Sequence, residues 1–186
     1  RAQRAACNLG RNRLLELIET YGNAVLQQVF INSLDSVEAA IRYRLRELSD
    51  GVGDAIGYLD DDGRNGPPTK VRVQVTKQGD SLTIDLSGSD PQVAGAMNVP
   101  WSSTRAGIVY AVRTVLAPEL GTNDGLLRAL NVICPQGNVL NPFPPAAVSV
   151  RHNTCQRFAD TAIRALVDLW PDLQVAGSSV TFFGCN

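Results

Sequence analysis

From Leu26 onward, apolar side chains recur at Phe30, Leu34, Val37, Ile41, Leu45 and Leu48, in steps of four and three that mark one face of a long helix. Asn23 is placed to cap its start, and Asp50-Gly51 to end it, because glycine accepts the left-handed conformation found after many helices. Ahead of it, Leu14, Leu17, Ile18 and Tyr21 trace a shorter amphipathic helix interrupted at Gly22, which predicts a long antiparallel helix pair. The run from Leu59 to Pro68, rich in Asp, Gly and Pro, has no hydrophobic period and reads as a connector.

Beyond the connector the period becomes two. Val71, Val73 and Val75 alternate with polar residues, and Leu82, Ile84 and Leu86 do so again after Lys77-Gln78-Gly79-Asp80. That pattern predicts a β-hairpin with one buried face. Helical spacing returns at Ile108, Val112, Val115 and Leu116, ending before Pro118, with Ser103 or Thr104 as N-cap. It returns once more at Phe158, Ala162, Leu166 and Leu169, ending before Pro171. The stretch between these two helices reads as loop, and Asn141-Pro142-Phe143-Pro144-Pro145 cannot supply consecutive ladder donors. The predicted class is α+β: a long antiparallel helix pair, then a hairpin or mixed sheet with two further helices. It forms one domain, or an internal fragment of a larger subunit, helical over about 1–50 and mixed over about 51–186.

Charge and cysteine content narrow the partners. Seventeen basic and 18 acidic side chains leave a formal net charge of -1 with no basic stripe, so neither nucleic acid nor an anionic membrane is an expected partner. Cys7, Cys134, Cys155 and Cys185 form no C-x-x-C pair, which favours a reducing, cytoplasmic compartment. No run is apolar enough to span a bilayer. The opening Arg1-Ala2-Gln3-Arg4 and the apolar, strand-like close Phe182-Phe183-Gly184-Cys185-Asn186 suggest ends cut within a folded region.

Several motifs invite chemistry. Asp60-Asp61-Asp62 offers clustered carboxylates, but an EF-hand loop starting at Asp60 would place Val71 where a bidentate Glu is needed, so a solvated acidic turn is expected. Gly51-Val52-Gly53-Asp54-Ala55-Ile56-Gly57 has its third glycine one position late for a dinucleotide loop and follows a helix. No G-x-x-x-x-G-K-[ST] sequence occurs. Arg42, Arg44 and Arg46 lie off the apolar stripe and are expected on a solvated face with Glu38 and Glu47. A subunit interface on that arginine face is an alternative.

Arg151-His152-Asn153-Thr154-Cys155-Gln156-Arg157 places the only histidine and a cysteine at a predicted helix start, where dipole and arginines favour an anion or a thiolate. A Cys155 nucleophile with His152 as base would need an orienting third group, which the sequence does not identify. Asp160, one turn on, is expected to pair with Arg157 or Arg164.

Taken in order, RAQRAACNLG (1–10), LSDG (48–51), YLDDDG (58–63), DLSGSDPQVAGAMNVP (85–100), GTNDGLLRALNVICPQGNVLNPFPPAAV (121–148) and NTCQRFAD (153–160) resemble the hydantoinase B/oxoprolinase family. The resemblance implies part of the B-type subunit of an ATP-dependent cyclic amide hydrolase, acting on a hydantoin, oxoproline or lactam. An A-type partner subunit would phosphorylate that substrate with ATP and Mg. Related subunits belong to ATP-dependent ketone carboxylases, and a non-catalytic scaffold or interface segment is a further alternative. The family's divalent metal, held by His and Asp, is implied to lie upstream of this segment. Arg151 stands where the family usually has a small residue, and Cys155 where it often has a hydroxyl, which weighs against thiol chemistry. Asn98, Arg105, Asn123, Arg151 and His152, on polar loops or helix starts, are the expected substrate-lining residues.

Overall fold

The computed structural model describes residues 1–62 and 64–177. The apolar closing run and Cys185 lie outside the described residues. Within them the chain builds α1 (Ala2–Tyr21), α2 (Asn23–Glu47), β1 (Gly51–Leu59), β2 (Thr69–Gln78), β3 (Ser81–Asp85), α3 (Trp101–Leu116), α4 (Gly125–Arg128), β4 (Leu130–Ile133) and α5 (Arg151–Leu169). The class is α+β: two long helices, then a four-stranded mixed sheet and further helices. No helix of the described residues is long and apolar enough to cross a membrane.

The sheet runs β1-β2-β3-β4, with β1/β2 and β2/β3 antiparallel and β3/β4 parallel. Val71, Val73, Val75, Leu82 and Ile84 are all but fully buried on one face, as their alternation predicts. The hairpin closes at the Gln78–Ser81 pair, leaving a two-residue turn in which Gly79 has φ +62, a conformation that suits glycine. α5 lies across the buried face against β1 and β2, and α3 packs on α5.

β1 is the strand that periodicity alone conceals. Gly51, Gly53 and Gly57, which fail as a phosphate loop, face α5. A Cβ on Gly53 would stand 2.2 Å from the Ala165 carbonyl oxygen, and one on Gly57 2.3 Å from Thr161 Oγ1. The glycines therefore let a helix backbone settle directly on the strand, the role that strand glycines often signal. Two side chains of α5 also bond the strand's outer edge. Asp168 Oδ2 accepts from the Asp54 amide at 3.0 Å, and Arg164 Nη1 donates to the Ile56 carbonyl at 3.5 Å. Such bonds blunt an edge that would otherwise template further pairing.

Other local readings change. Gly22 rather than Asn23 occupies the cap of α2, and α2 ends at Glu47, three residues before the Asp50-Gly51 stop, with Gly51 already in β1. α3 starts at Trp101 behind Pro100 with no side-chain cap, and the Thr104 hydroxyl instead donates to the Leu140 carbonyl at 2.6 Å. β4 occupies part of the stretch read as loop.

The arginines of α2 bind largely within the chain. Arg42 pairs with Glu38 at 2.9 Å and donates to the Arg128 carbonyl, while Arg46 reaches Asp80 in the hairpin turn at 3.0 Å. Lys77, only 4% exposed, pairs with Asp50 at 2.7 Å. That bond, helped by the Gly79 amide, holds the Asp50 carboxyl below its ordinary range. Together these contacts fasten the end of α2 to the hairpin.

Asp62 corrects the picture of a solvated acidic turn. Its side chain is buried, and its oxygens accept from the amides of Arg64 (2.9 Å), Gly66 (3.2 Å) and Gly95 (3.2 Å). These amides, Arg64 foremost, hold its carboxyl below the ordinary range against the opposing effect of burial. Asp62 thus clamps the connector to the loop ahead of α3.

Candidate functional site

α3 is flanked by two hollows. The larger, of 1030 Å³, lies between α3, α5 and the edge of β1. Ala106 and Gly107 of α3 face Ala159 and Ile163 of α5 across an apolar floor, with Asp54 and Asp168 among its polar groups. Gly107 admits the Phe158 ring, which a Cβ there would meet at 2.8 Å, and so sets the close approach of the two helices. The smaller hollow, of 500 Å³, lies between α3 and the Thr122–Leu127 segment, and Ala106 and Tyr110 line both.

Two of the five expected site residues, Arg105 and Asn123, meet in the smaller hollow. Asn123 is already engaged. Its Nδ2 donates to the carbonyl and hydroxyl of Ser33 at 3.1 and 3.2 Å, and its Oδ1 accepts from Gly125 at 2.9 Å, tying the α4 turn to α2. Arg113, nearby, spends its donors on the Leu120 and Pro118 carbonyls at 2.6 and 3.0 Å. Arg105 differs: its side chain is 44% exposed and its ion-pair partner Asp124 stands at 3.7 Å, beyond hydrogen-bond length. A guanidinium so placed offers a fork of donors to a carboxylate or phosphoryl group.

The other three expected residues stand elsewhere. Asn98 has no exposed surface and lines neither hollow. Its Oδ1 accepts from Val93 at 2.9 Å, and its Nδ2 lies 2.8, 3.1 and 3.1 Å from the carbonyls of Val93, Gly95 and Ala147. It fixes the loop entering α3 to the loop entering α5. Arg151 and His152 are exposed in the first turn of α5, outside the lining of both hollows. Arg151 donates to the Val148 carbonyl at 3.2 Å.

Cys155 does line the larger hollow, half-buried. Burial pushes its thiol up, and the nearby Arg151 charge only partly opposes that shift. That direction disfavours the thiolate a nucleophile requires. Among the described residues Asp160 makes no ion pair with Arg157 or Arg164 and instead borders the larger hollow. That hollow leaves no motif in the sequence, because its wall is built of α3 and α5 residues, many of them small, whose spacing reads as ordinary helix. Gln156 beside it has Oε1 buried without a hydrogen-bond partner among the described residues. Among those residues, too, no group of three or more His, Cys, Asp or Glu side chains is placed to hold a metal ion.

Comparisons place this geometry among known proteins. The chain is 30% identical over 180 residues to an uncharacterised protein of Methanocaldococcus jannaschii, covering 96% of this chain and 31% of that one. It is 32% identical over 187 residues to a protein provisionally named as the B-type subunit of a D-/L-hydantoinase from a Pseudomonas strain, covering 95% and 32%. The chain thus spans about a third of the length of these relatives. In structure it superposes on an ATP-dependent caprolactamase from Pseudomonas jessenii with a TM-score of 0.81 at 25% identity, over 92% of this chain and 30% of that one. An acetone carboxylase shares the fold, with a TM-score of 0.73 at 17% identity over 89% of this chain and 23% of that one. The family described as hydantoinase B/oxoprolinase matches residues 1–185. This chain belongs to the hydantoinase B/oxoprolinase family.

Proposed function

We propose that this chain forms part of the B-type subunit of an ATP-dependent cyclic amide hydrolase, which opens a hydantoin, oxoproline or lactam ring after an A-type partner subunit has phosphorylated its carbonyl. Family membership supports the general kind of enzyme. The observation that carries the reading within this chain is Arg105, a partly exposed guanidinium beside a hollow of 500 Å³. Its donors would hold the phosphoryl or carboxyl oxygens of the activated substrate, while Val109 and Leu127 offer apolar surface to a ring. Asn123 would keep the opposite wall in place through Ser33 and Gly125. ATP and Mg would act on the partner subunit, and a divalent metal, with the chemistry of activating water, would be held outside this segment.

The test is reconstitution. The B-type polypeptide containing this chain, combined with its A-type partner, is incubated with ATP and a panel of hydantoin, 5-oxoproline and caprolactam. Ring opening and ADP release should rise together, and both should require the two polypeptides. Ring opening without ATP would contradict the proposal. Consumption of bicarbonate with a ketone, in place of ring opening, would move the chain to the carboxylase reading.

A further inference from the structure

Arg105 and Asp124 stand beside each other in the lining of the smaller hollow without touching. Nη2 of one and Oδ1 of the other are 3.7 Å apart, whereas Arg72 closes on Asp54 to 2.6 Å and Arg128 on Asp35 to 2.7 Å. Among the described residues neither Arg105 nor Asp124 makes a side-chain hydrogen bond, and each is the other's one ion-pair partner. Contacts within this chain set the place of the carboxylate. Asn123, next to it, is tied to Ser33 and to the Gly125 amide, and the Leu127 amide donates to the Asp124 carbonyl at 3.1 Å. The hollow therefore presents a donor next to an acceptor, with a gap between them.

That arrangement is the complement of an amide whose C=O and N–H lie on one edge. Closure of a small ring forces its amide cis and puts both groups on the same side. An open-chain secondary amide is trans, so its oxygen and its N–H point in opposite directions and cannot meet neighbouring partners. A ketone offers the oxygen alone, and an N-alkylated ring has lost the proton.

Charge agrees with the division of labour. Arg113 also lines the hollow, and its donors go to neutral carbonyls, so two guanidinium groups stand there against one carboxylate. The oxygen end of a ring, phosphorylated or not, thus meets an excess of positive charge even with Asp124 engaged at the nitrogen. The carboxylate suits the activated ring as well. Once the amide oxygen is phosphorylated and the N–H is kept, the nitrogen bears positive charge, and a facing carboxylate favours that form.

We infer that Arg105 and Asp124 together read the cis-amide edge of the ring, Arg105 donating to the amide oxygen or the phosphoryl group on it and Asp124 accepting from the ring N–H. Asp124 is then the residue that separates cyclic amides from open-chain amides, N-alkylated rings and ketones. The inference rests on the function proposed above, and the test keeps the two apart. In the reconstituted A- and B-type enzyme with ATP, whichever of hydantoin, 5-oxoproline and caprolactam is opened is compared with its analogue methylated at the nitrogen of the opened bond. The comparison is read as kcat/KM or, for a ring bound but not opened, as an inhibition constant. Wild type should favour the N–H ring by about a hundredfold or more. Asp124→Ala should weaken the N–H ring by about thirtyfold, cost the methylated ring less than about threefold, and leave the Tm unchanged. Asp124→Asn, which keeps an accepting oxygen without its charge, should recover part of the preference. An enzyme that opens the ring and needs Arg105 for its KM, but whose preference survives Asp124→Ala, would overturn the inference and leave the function standing. So would a fall in Tm with the preference intact, which would give the carboxylate to the rest of the polypeptide. An enzyme that opens no ring would overturn both.

Discussion

A Gly53→Val variant is expected to lose about 3 kcal/mol or more of unfolding free energy, and its Tm should fall by roughly 6–12 °C. The reason is the seat of α5 on β1. The first carbon of any side chain at Gly53 would stand 2.2 Å from the Ala165 carbonyl and 2.7 Å from the Leu169 amide nitrogen. Both neighbours are backbone, so no rotamer change relieves the clash, and α5 must lift. Lifting it exposes Phe158, Ala162, Ala165 and Leu166, now at most 3% exposed, and widens the larger hollow. Urea unfolding by circular dichroism measures the effect. The companion Val52→Thr, on the exposed face of the same strand, should change stability by less than about 0.5 kcal/mol. A Gly53→Val protein as stable as wild type would mean that α5 does not rest on this strand.

An Asn98→Ala variant is expected to cost about 3 kcal/mol, because it removes one acceptor and a two-proton donor from a site with no water access. The Val93 amide and the carbonyls of Val93, Gly95 and Ala147 would all lose their partner. The loops before α3 and α5 would then drift apart, and activity should fall through lost enzyme rather than raised KM. Asn98→Asp tests the donor half alone. It keeps the oxygen that accepts from Val93 but brings a charge against three carbonyls, so it should be at least as unstable as the alanine variant. A variant of wild-type stability with altered KM would instead place Asn98 in contact with substrate.

Much of this fold was legible because burial obeys simple periods. Val71, Val73, Val75, Leu82 and Ile84 alternate, and all face the core. Phe158, Ala162 and Leu166 recur at helical spacing, and all pack inward. β1 was not legible in that way, since glycines at 51, 53 and 57 remove the apolar alternation while serving the same buried face. Its signal was steric: glycines spaced two and four apart in a strand imply something lying close upon it. The site was harder. Polar residues at loop ends pointed to Asn98 and Asn123, but the same polarity serves loops that must satisfy one another's backbone, and only the structure shows where each amide is spent. Arg105 stands out by having donors to spare, a property set by its neighbours and not by its place in the sequence.

The central claim, that the hollow beside α3 takes the anionic end of an activated cyclic amide, rests on Arg105. The direct measurement is steady-state kinetics of the reconstituted enzyme with Arg105→Ala and Arg105→Lys. Arg105→Ala is predicted to raise KM for the ring substrate by about tenfold or more, with the Tm unchanged and the KM for ATP unmoved, and Arg105→Lys should recover part of the loss. An Arg105→Ala enzyme with wild-type KM and kcat would contradict the claim.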